Sequence, residues 1–198
     1  KGYIRKWREA DFFFENVTNM SPELIAYISA ELRVFPLKIN SSLVSAQNRD
    51  RLYWTNIPGV TIPTDKGIHM SDVIPGAIAG CGKRNRDTGK KNEHGKKIWN
   101  PKVTTRPDRK ANCLCTSDTN SRVKMRGGTI RKLTVKEMEV LQTLPINYTR
   151  VRDISDSARI RAIGNGWTTA VITHLLKPLK NPKKYLDNRK SRHIFVSH

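Results

Sequence analysis

A mixed α/β fold is predicted for this 198-residue chain by three features of its amino-acid pattern. Asp11-Phe12-Phe13-Phe14-Glu15-Asn16-Val17 is a short continuous apolar run closing on a polar pair, the form of a buried strand that delivers Glu15 near its carboxyl end. Ser21-Pro22 is a helix start, and Leu24, Ile25, Ile28 and Leu32 then recur at helical spacing, which predicts a helix with one buried face. Two further apolar segments, around residues 34–44 and 51–57, continue the layering of strand and helix and close at Pro58-Gly59. With 37% apolar residues the chain has the material for a real core.

From about residue 63 to 128 the periodicity disappears, Gly and Asn become frequent, and residues 83–110 hold eleven Lys or Arg against Asp87, Glu93 and Asp108. This stretch reads as an irregular insertion with a partner of its own. Order returns at Thr134-Val135-Lys136-Glu137, which has the form of a capping box, followed by Val135, Met138, Leu141 and Leu144 on a helix stopped by Pro145. A second helix is predicted over residues 155–163. A third, carrying Val171, Ile172, Leu175 and Leu176, follows Gly164-Asn165-Gly166-Trp167-Thr168-Thr169 and ends before Pro178. Beyond residue 177 the chain is basic with little apolar content.

The 37 Lys and Arg against 17 Asp and Glu give a formal charge of +20, more than solubility needs, so the natural counterpart is a polyanion, and nucleic acid leads. No apolar run approaches the roughly 20 residues that span a bilayer, so no membrane partner is expected, and Lys1 begins no secretory signal. Three cysteines make no disulfide framework and point to a reducing, intracellular setting. Cys113-Leu114-Cys115 with Cys81 and His94 lacks the cysteine spacing of structural zinc sites, and no metal is expected.

Four segments, in order, together resemble the DNA cytosine-5 methyltransferase family. They are Glu15-Asn16-Val17 at the end of an apolar strand; Gln47-Asn48-Arg49-Asp50-Arg51, a Gln-x-Arg-x-Arg pattern; Arg131-Lys132-Leu133-Thr134 with Glu137 and the stretch Leu141-Gln142-Thr143-Leu144-Pro145-Ile146-Asn147-Tyr148; and Ile163-Gly164-Asn165-Gly166. Leu144 stands where Phe is usual. Phe12-Phe13-Phe14, Tyr53-Trp54 before Asn56-Ile57-Pro58-Gly59, residues 102–106 and Trp167 look closest to animal de novo methyltransferases and their phage or bacterial relatives.

The resemblance implies the carboxyl-terminal part of a Rossmann-like methyltransferase domain. Residues 1–62 would be its strands, 63–128 an irregular target-recognition insertion, 129–180 the return to the catalytic domain, and 181–198 a basic tail. It implies transfer of a methyl group from S-adenosylmethionine to C5 of a flipped cytosine after a cysteine thiolate attacks C6. Glu15 would then meet N3 as acid and base reader, and Asn16 would fix the loop behind it. Arg51 would reach the cytosine O2, and Arg49 would position the nucleotide and the catalytic loop. Gly164, Asn165, Trp167 and Thr168 are the cofactor candidates. Gln47, Thr104, Thr105, Arg106, Arg109 and Lys110 are the DNA candidates, double-stranded DNA being the partner, with most other basic residues meeting phosphate. The plain alternatives are an exposed strand-end carboxylate at Glu15, a solvated arginine pair, and core packing for Trp167.

The family's nucleophile follows a proline, whereas Cys81 follows Gly80, Cys113 follows Asn112 and Cys115 follows Leu114. A glycine-rich cofactor loop should also precede Glu15. The expectation is therefore a proteolysed or truncated fragment, or one subunit of a split methyltransferase completed by a second polypeptide that carries the amino-terminal half and its cysteine, working at DNA in a nucleus or bacterial cytoplasm. An accessory DNA-binding subunit is the alternative in a different class, and an RNA-binding basic protein, resting on charge alone, a third.

Overall fold

The computed structural model describes residues 10–116 and 121–179, so the basic tail expected over 181–198 lies outside the described residues. Strand β1 (Phe13–Val17) is followed by helix α1 (Pro22–Leu32), β2 (Leu37–Asn40), a 3-10 turn (Ser41–Leu43) and β3 (Asp50–Thr55). These form a three-stranded sheet in the order β1-β3-β2, antiparallel throughout. Ser21 caps α1 by accepting from the Leu24 N–H, and Pro22 sits where its missing N–H costs nothing.

The register sorts the side chains onto two faces. Glu15 pairs with Tyr53 and Val17 with Arg51, so Phe13, Glu15, Arg51 and Tyr53 share one face, while Phe14 and Trp54, also paired, share the other. Helix α1 covers the Trp54 face, where the indole N–H donates to Ser29 Oγ at 2.9 Å and the ring meets Phe14 at 5.6 Å. Ile39 and Tyr53 on the Glu15 face pack with Val171 and Leu175 of helix α5 (Thr169–Leu176). Sheet between helices is the predicted layering. Helix α1 differs from its prediction in one respect, because Leu24 and Tyr27 are 46% and 63% exposed and Phe35 beyond it 89%, leaving an apolar groove along Ile25, Ala26, Val34 and Phe35.

The segment read as irregular carries strands over part of its length. After the short helix α2 (Met70–Val73) come β4 (Ala77–Lys91), β5 (Lys97–Thr105), β6 (Arg122–Met125) and β7 (Ile130–Lys132), in the antiparallel order β5-β4-β6-β7. Only the first residues of β4 carry an apolar alternation, with Ala77, Ala79 and Cys81 buried. Beyond Cys81, β4 pairs with β5 as a two-stranded ribbon whose turn is held by Asn92 Oδ1, accepting from the His94 and Lys96 N–H groups. Residues 83–91 and 97–105 are mostly Lys, Arg, Asn and Thr, and without an apolar alternation these strands leave no periodic trace in the sequence.

The final helices are α3 (Val135–Leu141), α4 (Asp156–Asn165) and α5. Thr134 and Glu137 form the expected capping box, and Glu137 also holds Arg131 in a two-pronged pair at 2.6 and 2.8 Å. Helix α4 runs two residues past its predicted end, so Gly164 and Asn165 are helical and Gly166 is the cap. The main core joins both sheets' surroundings: Met70, Ile74, Leu114, Val123, Leu133, Met138, Leu141 and Ile163 are buried together.

Candidate active site

Two glycines set the path of the segment that completes the site. A Cβ on Gly80 of β4 would lie 2.6 Å from Ala111 Cα, and one on Gly164 of α4 would lie 2.3 Å from the Cys115 carbonyl oxygen. Residues 110–116 thread between these close approaches, and no larger side chain fits at either point. Parallel to this thread runs the stretch 45–49. Ala111 N donates to Ala46 O at 2.7 Å, Asn48 N to Ala111 O at 2.9 Å, and Leu114 N to Gln47 Oε1 at 2.9 Å.

Gln47 is wholly buried, and its amide nitrogen donates to Leu141 O and Gln142 Oε1. Its assignment to DNA is therefore corrected: every polar atom of the amide is used inside the fold, and a buried amide withdrawn from these partners would leave Leu114 N–H unsatisfied. Gln142 in turn reaches Ile163 O, and it accepts from Thr168 Oγ1, which is also paired with Ser41 Oγ. Thr168 is 1% exposed, so its side chain ties helix α5 to the first sheet and is not free for a cofactor.

Arg49 precedes β3 and is 4% exposed. Its guanidinium donates to Leu114 O at 3.1 Å, Gly164 O at 3.1 Å and Gly166 O at 2.9 Å. It joins the thread, helix α4 and the loop after it at one point. Arg51 lies on β3, with Nε 2.7 Å from Glu15 Oε1 and NH1 donating to its neighbour's carbonyl at Asp50. The Glu15 side chain is 10% exposed, so neither an exposed strand-end carboxylate nor a solvated arginine pair describes this cluster. Tyr53 stands opposite Glu15, its phenol pushed well above the ordinary range by burial and then by the facing carboxylate. Asn16 points to the other face and accepts from the Val17 N–H at 2.8 Å, a local turn contact.

Both arginines also reach one sulfur. Arg49 NH1 is 3.4 Å and Arg51 NH2 3.9 Å from Cys113 Sγ. Cys113 does not follow proline and so is no candidate on sequence grounds; 62 residues separate it from Arg51, and no local signal marks that meeting.

The cofactor candidates divide. Gly164 is buried against the Cys115 backbone, whereas Asn165 is exposed. Trp167 packs edge-on against Phe13 with centroids 5.2 Å apart and lines an open cleft of about 340 Å³ with Leu144, Tyr148, Ile163, Gly166 and Ile172.

The DNA candidates divide as well. Thr104 and Thr105 are exposed near the base of the ribbon. Arg106 is engaged by Asp108 at 2.6 Å, and this hydrogen bond holds the Asp108 carboxyl down at about 2. Arg109 is exposed, in the left-handed region at φ 56°, beside His69. Lys110 is 7% exposed, and its ammonium donates to the carbonyls of Ser42, Ser45 and Ile68 while burial lowers its pKa. It cannot also meet DNA, and that assignment is corrected: an ammonium that satisfies three buried carbonyls is a structural bolt.

The architecture, an α/β sheet flanked by helices with a charged ribbon beside it, is Rossmann-like. It is similar to a DNMT2 from Spodoptera frugiperda carrying three substitutions, at 14% identity and TM-score 0.51 over 86% of this chain and 66% of that one. It is likewise similar to the methyltransferase EhMeth of Entamoeba histolytica, at 15% identity and TM-score 0.52 over 90% of this chain and 69% of that one. The chain thus spans about two thirds of the length of these structures. The family model for C-5 cytosine-specific DNA methylase matches residues 61–181, and the chain belongs to that family.

Among the described residues no helix is long and apolar enough to cross a membrane.

Proposed function

We propose that this chain forms the base-holding and DNA-reading portion of a DNA cytosine-5 methyltransferase. The observation that carries the reading is the convergence of Glu15 and Arg51, from two paired strands, into one buried ion pair at 2.7 Å. A carboxyl group that carries a proton and a guanidinium side by side would offer two donors to the N3 and O2 acceptors of cytosine. When a thiolate adds to C6, negative charge builds in the ring, and a proton held at Glu15 toward N3 relieves it. A base bound there shares the carboxylate with Arg51 or takes it over.

S-adenosylmethionine would supply the methyl group. The aromatic and apolar cleft beside Trp167 suits one edge of such a cofactor, with Gly166 and Trp167 as its nearest residues, while Gly164 and Thr168 hold the walls in place. The ribbon of β4 and β5 has the width that the DNA major groove admits, and its exposed Lys90, Lys91, Lys96 and Lys97 would meet phosphate. The remaining part of the fold, with the nucleophilic cysteine and the glycine-rich cofactor loop, would come from polypeptide outside these residues, and the apolar groove of α1 is a surface it could cover.

The test is reconstitution with a polypeptide carrying those parts, followed by tritium-labelled methyl transfer from S-adenosylmethionine to duplex DNA. Transfer that disappears in Glu15→Ala supports the proposal. Transfer unaffected by that change, or a reconstituted pair that binds DNA and never methylates it, overturns it in favour of an accessory DNA-binding subunit.

A further inference from the structure

Beside Glu15 and Arg51 lies a thiol that the proposed chemistry does not use. Cys113 Sγ lies between Arg49 NH1 at 3.4 Å and Arg51 NH2 at 3.9 Å, and Arg51 is in turn 2.7 Å from Glu15. The sulfur is thus one residue removed from the carboxylate. Its position is not a matter of side-chain drift, because the backbone on either side is pinned by Leu114 N–H on Gln47, by Ala111 N–H on Ala46 and by the close pass at Gly164.

The three cysteines are differently disposed. Cys81 is buried in β4, its sulfur 3.6 Å from Thr105 Oγ1. Cys115 is exposed and its sulfur reaches back to the Cys113 carbonyl. Cys113 is half-buried, so part of its surface remains open to a small reagent. Glu15 Oε1, fully buried, has Arg51 Nε as its close contact but lacks a well-aligned hydrogen bond, which leaves acceptor capacity for an arriving donor.

We propose that Cys113 forms the third side of the nucleotide site: its sulfur, held between Arg49 and Arg51, packs against the nucleotide bound at Glu15, and its alkylation closes that site. This rests on the reading of Glu15 and Arg51 as target-base residues. Sulfur is soft and polarisable and packs well on an aromatic ring, and as a weak acceptor it steadies both guanidinium groups without competing with the base for the carboxylate. Cys113 is a positioning residue here. Alkylation by iodoacetamide forms a sulfur–carbon bond, releases iodide, sends the thiol proton to solvent and places a carboxamide group in the space the nucleotide needs.

The experiment is time-resolved iodoacetamide labelling of the full chain, with the companion polypeptide if one is required, read by peptide mass spectrometry at each cysteine. The probe is a random-sequence duplex carrying cytosine–adenine mismatches, where an unpaired cytosine is cheaper to extrude. With duplex at ten times its Kd, labelling of Cys113 should slow about tenfold, while Cys115, two residues away, should change little. Cys113→Ser, which keeps an acceptor but not the polarisable sulfur, should bind the mismatched duplex more weakly than the parent, keep its preference over the matched duplex and resist iodoacetamide. Cys113→Val, which fills the space without accepting, should lose preference for the mismatched over the matched duplex. Equal shielding of Cys113 and Cys115, or unchanged labelling of Cys113 in a sample where gel mobility shows the duplex bound, overturns the inference and leaves the proposed function standing. A duplex that does not bind at all overturns both.

Discussion

Glu15 and Arg51 sit on neighbouring antiparallel strands, offset by two residues in register, and their side chains meet at 2.7 Å on the face of the sheet opposite helix α1. Register places the pair, since a slip of one residue would turn Arg51 to the Trp54 face and leave the carboxylate alone.

Replacing the carboxyl is therefore the sharpest probe of chemistry. Glu15→Gln keeps shape and removes the ionisable proton, and methyl transfer by the reconstituted enzyme should fall by about 10²-fold or more. Tritium incorporation into duplex DNA measures it. The thermal midpoint should fall modestly, since Arg51 loses its charge partner while Gln keeps an acceptor beside it, and loss of cooperative unfolding would mean that Glu15 is needed for folding instead.

Arg49 should behave in the opposite way. Arg49→Met strips the donors from the carbonyls of Leu114, Gly164 and Gly166, and unfolding free energy should fall by roughly 2–4 kcal/mol. A urea titration checks this. An unchanged midpoint would show that the guanidinium is dispensable to the fold.

The basic residues next to each other at 109 and 110 should separate cleanly. Arg109→Ala should reduce the slope of log affinity against log salt by about 0.9, the value for one phosphate left without its cation. Lys110→Met should leave that slope alone and lower the urea midpoint, because its ammonium already serves Ser42, Ser45 and Ile68. Fluorescence anisotropy across a salt series distinguishes them.

Arg106 is restrained by Asp108, whose carboxyl at about 2 stays ionised throughout the neutral range. Asp108→Asn should release the guanidinium and tighten DNA binding, with no dependence on pH between about 5 and 8 arising from this pair. Weaker binding in the variant would mean that the pair itself orients Arg106 for DNA.

Glu139 is fully buried, yet hydrogen bonds from Thr149, the Asn147 N–H and Arg159 outweigh burial and hold its carboxyl below the ordinary range. A depressed carboxylate stabilises the fold above its unfolded pKa, about 4.3, and that contribution is lost as pH falls through the folded value. Glu139→Gln should cost roughly 3 kcal/mol at neutral pH and make the acid limb of stability shallower. A variant whose acid limb is as steep as the parent's would show that other carboxylates govern acid unfolding.

What the sequence by itself determined was local. The apolar run at residues 12–14, the Ser21-Pro22 start and the Thr134–Glu137 box all act within a few residues, so the first strand and the helices were legible. The β4–β5 ribbon was not, since its residues beyond Cys81 are mostly Lys, Arg, Asn and Thr and carry no apolar alternation. Only the tertiary structure decided which polar residues stay accessible and which are bolts. Gln47, Lys110 and Thr168 carry the same chemistry as site residues, and their burial comes from segments tens of residues away: Gln47 against Leu141, Lys110 against Ser42, and Thr168 against Ser41. The same long-range threading, fixed by two glycines that allow backbones to touch, brought Cys113 to the arginines, a meeting set by packing and written in no motif.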